Sequence, residues 1–262
     1  MKHLVRKLAL FYLFILILSF SGCTIGGLPD VTPPGEENNN VGGEGTGQYG
    51  SLTGTVYDPT YKDFKLESGN IEIDGRIIPI KNGTYQVDNL PNGTYTLRAK
   101  QTWYNTVELQ VYVHGNTIKD IAMTPKISPT ELDLFARLVS SEARGESYIG
   151  QVAVAATVLN RVLDSRYPNT ITGVVYQVTV TNGIKYYQYE PVKNGTIALP
   201  ATQSAKDASR QALAGWDPTM GATGFFAPNK VPQWSNGKRP WVWQQWDKDP
   251  IKLKIGNHNF FR

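Results

Sequence analysis

The chain has 262 residues, with 26 Lys and Arg against 22 Asp and Glu, 40% hydrophobic residues and one cysteine. A lone cysteine excludes any intramolecular disulfide, so stability has to come from packed cores. The formal charge of +4 gives no reason to expect a nucleic-acid partner.

Lys2, Arg6 and Lys7 precede an apolar run from Leu8 to Phe20. That run is shorter than the about 20 residues a membrane-spanning helix needs. With its basic front and the small residues Ser21 and Gly22 behind it, residues 1–22 read as a cleaved export signal. The three basic residues leave with it, which takes the balance to 23 against 22. Phe20-Ser21-Gly22-Cys23 resembles a bacterial lipobox, which implies lipidation of Cys23 and a membrane partner through that anchor. The other reading is an ordinary signal with an incidental cysteine. Residues 23–48, dominated by Gly, Pro, Asn, Glu and Thr, read as a flexible tether. Together these features predict an exported protein held at the outer face of the bacterial membrane.

Between Ser51 and Met123, runs of period two recur at 52–57, 71–73, 84–87, 94–99 and 107–113. Turn clusters such as Asp74-Gly75, Asn82-Gly83, Asn92-Gly93 and Gly115-Asn116 separate them. The pattern predicts an all-β domain over 49–126, an antiparallel sandwich of about seven short strands. The run Asp88-Asn89-Leu90-Pro91-Asn92-Gly93-Thr94-Tyr95 resembles carboxypeptidase-regulatory-like or prealbumin-like sandwiches, a likeness that implies no activity. Trp103, Tyr104 and Tyr112 are open to two readings, ring stacking on glycan or packing in the sandwich.

At Ser128 the periodicity becomes helical. Ser128-Pro129-Thr130-Glu131 has the form of a capping box with proline at the first helical position. A second helix is expected over about 148–163, and a third over about 201–214, stopped by Gly215. The remainder, rich in Trp, Pro and Gly, reads as loops with short extended pieces. Residues 128–262 therefore predict a mainly helical α+β domain. From Pro129 onward there are 15 Lys and Arg against 10 Asp and Glu, which suits an anionic polymer and equally suits plain solubility.

Elimination narrows the chemistry. After processing only His114 and His258 remain, in different domains, so a zinc site with its usual His and Cys ligands is poorly supplied and no metal or cofactor is expected. A cysteine nucleophile is excluded by the position of Cys23, and no Gly-x-Ser-x-Gly elbow occurs. Carboxylates are the best-supplied groups. Glu142 and Glu146 stand four residues apart at the end of the first helix, where a shared face would push one pKa upward. A glutamic acid kept protonated near neutral pH is what glycosidic cleavage needs. Two solvated helix charges balanced by Arg137 and Arg144 would have the same spacing.

Glu142-Ala143-Arg144-Gly145-Glu146-Ser147-Tyr148-Ile149-Gly150-Gln151, then Leu159-Asn160-Arg161-Val162, Pro168-Asn169-Thr170-Ile171 and Gly173-Val174-Val175-Tyr176-Gln177 resemble the catalytic domain of the SleB/CwlJ cell-wall hydrolases. The likeness continues through Gly215-Trp216-Asp217-Pro218-Thr219 and closes with Ile255-Gly256-Asn257-His258-Asn259-Phe260. It implies a lysozyme-like domain that cuts the glycan strands of peptidoglycan, in spore cortex or vegetative wall. It implies Glu142 as general acid and, in lytic transglycosylase chemistry, then as base toward the sugar's own 6-hydroxyl. Glu146 then supports the site.

Gln188-Tyr189-Glu190-Pro191-Val192 matches the family's Gln-Phe segment. Tyr189 is expected to line the substrate groove, Glu190 departs from the pattern and supplies a candidate second carboxylate, and 178–187 reads as a longer loop than family members carry. His258, beside Asn257, either donates a hydrogen bond near the cleaved sugar or holds the last strand. Trp234, Trp241, Trp243 and Trp246 divide between sugar platforms and structural roles. The alternatives are a hydrolytic muramidase or glucosaminidase, and a non-catalytic peptidoglycan-binding lipoprotein. A monomer is expected.

Overall fold

The alternating residues after Gln48 fold as two face-to-face sheets in the computed structural model, which describes residues 48–61 and 64–262. The export signal, Cys23 and almost all of the tether lie outside the described residues. Among the described residues no helix is long and apolar enough to cross a membrane.

One sheet has the order β4-β1-β7, with β8 also on β1; the other has the order β3-β2-β5-β6. The strands are β1 (Tyr49–Tyr57), β2 (Asn70–Ile73), β3 (Arg76–Pro79), β4 (Thr84–Pro91), β5 (Gly93–Gln101), β6 (Tyr104–Val113), β7 (Asn116–Ile118) and β8 (Ile121–Ala122). Their inward residues, among them Leu52, Val56, Ile71, Val87, Leu97 and Val113, are buried, each contributing about 1.5–3 kcal/mol of apolar burial. The expectation of a purely antiparallel sandwich is corrected: β7 and β8 run parallel to β1. After β6 the chain crosses to the other sheet and enters it alongside β1. Tyr104 is core, its hydroxyl 3.2 Å from Asp58; Trp103 is partly buried against the same core, and Tyr112 stays exposed, stacked on His114.

The helical layer holds α1 (Pro129–Glu142), α2 (Tyr148–Leu163), α3 (Ile171–Val175), α4 (Glu190–Asn194), α5 (Gln203–Leu213) and α6 (Trp241–Lys248). Ser128, Ser147 and Thr202 cap α1, α2 and α5 by accepting backbone N–H bonds. Half of the expected capping box is replaced. The Glu131 carboxylate turns away from its own helix start and accepts from the Thr172 amide and hydroxyl at the start of α3. α2 is the central element, buried from Val152 through Leu159. Ala155 and Ala156 on α2, with Ala205, Ala208 and Ala212 on α5, keep the two packed helices close.

The expectation of loops with short extended pieces after α5 is corrected at one place, where a helix forms. α6 forms behind Pro240, and its Trp243 packs edge-on against Phe226. A three-stranded antiparallel sheet, β11 (Gly224–Phe226), β13 (His258–Phe261) and β12 (Leu253–Ile255) in that order, covers the end of the layer. The segment expected as a long loop is a two-stranded hairpin, β9 (Val178–Thr181) and β10 (Ile184–Tyr187).

Sandwich and helical layer fall in one compact unit and meet at the C-terminal end of α5. The amides of Glu67 and Ser68 both donate to Ala214 O, and Gln101 Nε2 donates to Leu213 O at 2.9 Å. These bonds satisfy carbonyls that a helix end leaves without partners. Gly215, with φ +107, ends the helix as expected, and a Cβ there would lie 2.0 Å from Ser68 Oγ.

Candidate active site

Glu142 is the last residue of α1, and the chain turns at Ala143 before Gly145, with φ +84, leads into α2. The helix therefore stops before Glu146, and the two carboxylates do not share a helical face. Their expected mutual repulsion is corrected too. The Glu142 carboxyl is pushed up to about 7, first by burial, with the charge of Glu190 adding to the effect and those of Arg161 and Lys230 opposing it.

Glu146 looks elsewhere. Its side chain is almost fully buried, accepting from the Asn257 amide (3.0 Å) and from Asn257 Nδ2 (3.0 Å). A Cβ on Gly256 would lie 2.2 Å from Glu146 Oε2, so only glycine admits this approach in the turn between β12 and β13. His258 follows, buried, with Nδ1 3.7 Å from Glu146 Oε1 and its ring edge-on to Phe225. Burial holds the imidazole below its usual value, with Lys230 acting in the same direction and Glu146 against it. Glu146, Asn257 and His258 thus form one clamp that pins the last sheet beside the start of α2.

Arg161 lies outside the expected site residues. It lies on the buried side of α2, donates from Nε to Thr223 O at 2.6 Å, and has its guanidinium 5.2 Å from the ring centres of both Tyr167 and Tyr189. The preceding Asn160 reaches the same loop, donating to Asp217 Oδ2 and Ala222 O. Asp217 also accepts from Thr219 and the Gly221 amide. Asn160 thus holds the loop whose Thr223 carbonyl fixes Arg161. A signal was present: Val154, Val158 and Arg161 fall at i, i+4 and i+7, which puts a cation in line with a buried stripe.

Tyr189 is corrected from groove wall to support. It is only 2% exposed, and burial pushes its hydroxyl up to about 12. Its flat ring packs beside the Arg161 cation, a pairing favoured where both are shielded from water. The Tyr189 hydroxyl, Arg161 Nη1 and Gln177 Oε1 are buried without a hydrogen-bond partner among the described residues. Gln188 donates its amide to Gln177 O at 3.1 Å. Glu190 opens α4 with its side chain 66% exposed and 3.8 Å from Lys193. Of the four tryptophans, Trp243 is buried and Trp246 partly so, whereas Trp234 and Trp241 are exposed.

One carboxyl is therefore largely desolvated and feels the charge of a fixed cation, a second is consumed in a structural clamp, and a third stands in solvent. That arrangement can deliver a proton at neutral pH and then stabilise the carboxylate left behind.

The cell wall hydrolase family model matches residues 145–261, beginning three residues beyond Glu142. A spore cortex-lytic enzyme of Bacillus cereus is 37% identical over 133 residues, covering 51% of this chain and 44% of that protein. The cell wall hydrolase CwlJ of Oceanobacillus iheyensis is 33% identical over 109 residues, 39% of this chain and 72% of that one. Among solved structures, the catalytic domain of the germination-specific lytic transglycosylase SleB from Bacillus anthracis is 36% identical. It aligns with a TM-score of 0.44 over 52% of this chain and 98% of that one. The chain belongs to the cell wall hydrolase family. It spans less than half the length of the B. cereus enzyme.

Proposed function

We propose that the chain cleaves the glycan strands of peptidoglycan as a lytic transglycosylase, with a lysozyme-like helical layer and Glu142 as its acid. The observation that carries this reading is the Glu142 carboxyl, raised to about 7 by burial at the end of α1. In the first step Glu142 gives its proton to the glycosidic oxygen as the C1–O bond breaks. In the second, the resulting carboxylate takes the proton of the same sugar's 6-hydroxyl while that oxygen bonds to C1, closing a 1,6-anhydro ring. No water is consumed and no second carboxylate is required. Two-carboxylate glycosidases need that second group, and here Glu146 is held by Asn257 while Glu190 is solvated. The family membership and the names of the relatives point the same way.

The test is digestion of purified peptidoglycan by the full chain and by E142Q, in water enriched in heavy oxygen. The expected products are unlabelled anhydro ends from the wild type, formed about 10²–10⁴-fold more slowly by folded E142Q. Labelled reducing ends would replace this reading by hydrolysis, and binding without any fragments would leave a wall-binding lipoprotein. The same proposal places the protein outside the cell on a Cys23 lipid anchor, with the sandwich over 49–126 and the enzyme over 128–262. Incorporation of labelled fatty acid that C23A abolishes is the expected outcome for the anchor.

A further inference from the structure

The β9–β10 hairpin connects α3 to α4. Its turn is built for the purpose: Asn182 (φ 51) and Gly183 (φ 76) take the two left-handed positions of a tight hairpin turn. Four residues per strand at roughly 3.3 Å each carry that turn about 13 Å from its foot. Among the described residues the strands pair only with each other, and an isolated two-stranded hairpin is marginal in water. Yet Val180, Ile184 and Tyr186 are 62%, 56% and 50% exposed, with Val178 and Tyr187 each more than a third exposed. Directly opposed residues share a face, so Thr179 and Thr181 stand with Tyr186 and Ile184, and Val178 and Val180 with Tyr187 and Lys185. Each face therefore mixes one aromatic ring and aliphatic groups with hydroxyls or a cation. A lipid surface would select a continuous apolar face; a polymer with apolar ring faces and polar edges suits this mixture.

The hairpin's position supplies the rest. Its foot closes at Gln188 N to Gln177 O. Two residues beyond β10 the chain plunges to Tyr189, beneath Arg161, and the next residue, Glu190, acts on Glu142 by its charge. The buried Gln177 Oε1 at the same foot has no protein donor among the described residues. The hairpin thus leads directly into Tyr189 and Glu190, the residues that pack against Arg161 and act on Glu142.

We infer that the β9–β10 hairpin is a saccharide-gripping flap, one of whose two faces, carrying Tyr186 or Tyr187, stacks its ring on a sugar of the glycan strand beside the bond presented to Glu142. This rests on the proposed cleavage of glycan and adds the element that holds the strand.

The test uses the full chain carrying Y186T/Y187T, which keeps strand-forming residues, and Y186F/Y187F, which keeps the rings. Turnover is measured on purified glycan strands, and binding is measured by co-sedimentation with insoluble peptidoglycan in the E142Q background. The Thr pair is expected to raise KM and weaken binding at least ten-fold, with a smaller change in kcat and an unshifted thermal transition. The Phe pair restores both. Unchanged KM and binding in the Thr pair would overturn the inference. So would a wild-type dimer that the Thr pair dissolves, or capture by phosphatidylglycerol vesicles that the Thr pair abolishes without affecting glycan binding. If wild type binds strands through the tyrosines but cuts none, the Glu142 reading falls and the flap stands. If the Thr pair cuts and binds as wild type while E142Q is slowed, the flap falls alone.

Discussion

Because the Glu142 carboxyl is held up at about 7, the protonated form that donates to a leaving oxygen declines as pH rises through that value. Activity should fall along an alkaline limb there, read from kcat/KM against pH. The neighbours set the sign of each shift. E190Q removes a like charge and should move the limb to lower pH while leaving most activity in place, whereas loss of all activity would make Glu190 a second catalytic carboxylate. R161Q removes a stabilising cation and should move the limb upward. E142Q should lower turnover about 10²–10⁴-fold. It should also change stability: below 4.5 both folded and unfolded chains hold the proton, and between 4.5 and about 7 only the folded one does. Stability contributed here is therefore lost as pH rises through that window. Chemical denaturation at about pH 4.5 and pH 8 should show wild type losing about 1–3 kcal/mol more than E142Q. At this scale, residue spacing offered Glu142 and Glu146 as equals. Their separation depends on where α1 ends and on Asn257, and neither is contained in a four-residue interval.

At the scale of elements, caps carried the legible part. Ser128 and Gly215 bounded the start of α1 and the end of α5, because each is a local hydrogen-bond or backbone requirement, and apolar spacing placed α2 and the start of α5 within a few residues. The β9–β10 hairpin was also written locally, as Asn182-Gly183 between Val-Thr-Val-Thr and Ile-Lys-Tyr-Tyr, and was passed over because its flanks lack a buried face. α6 was hidden differently: its helix packs through bulky Trp243 onto β11 and β13, so its apolar partners are distant in sequence. The β12–β13 turn offers a sharp test. G256A would drive a methyl group against Glu146 at a φ of +57. It should cost about 1–3 kcal/mol in chemical denaturation and reduce activity, with Glu142 itself untouched.

For the whole molecule, periodicity separated a sandwich from a helical layer but gave no hint that they share a seam. That seam is made of backbone groups, Glu67 and Ser68 to Ala214, with Arg210 lying 3.5 Å from the Tyr61 ring centre and Gln211 Nε2 donating to Glu67. Gln101→Ala leaves Leu213 O without this donor. It should destabilise by about 1–3 kcal/mol and loosen hydrogen-exchange protection in the last turn of α5.

The clamp between Glu146 and Asn257 ties residues 111 positions apart. Contacts that close so long a loop form late, after helices that need only local bonds. The helical signature should therefore form before the finished Glu142 site, and in refolding the recovery of activity on glycan should trail the recovery of far-ultraviolet dichroism. On the proposed reading as a wall-cleaving enzyme, the folding chain therefore stays inactive until the clamp closes.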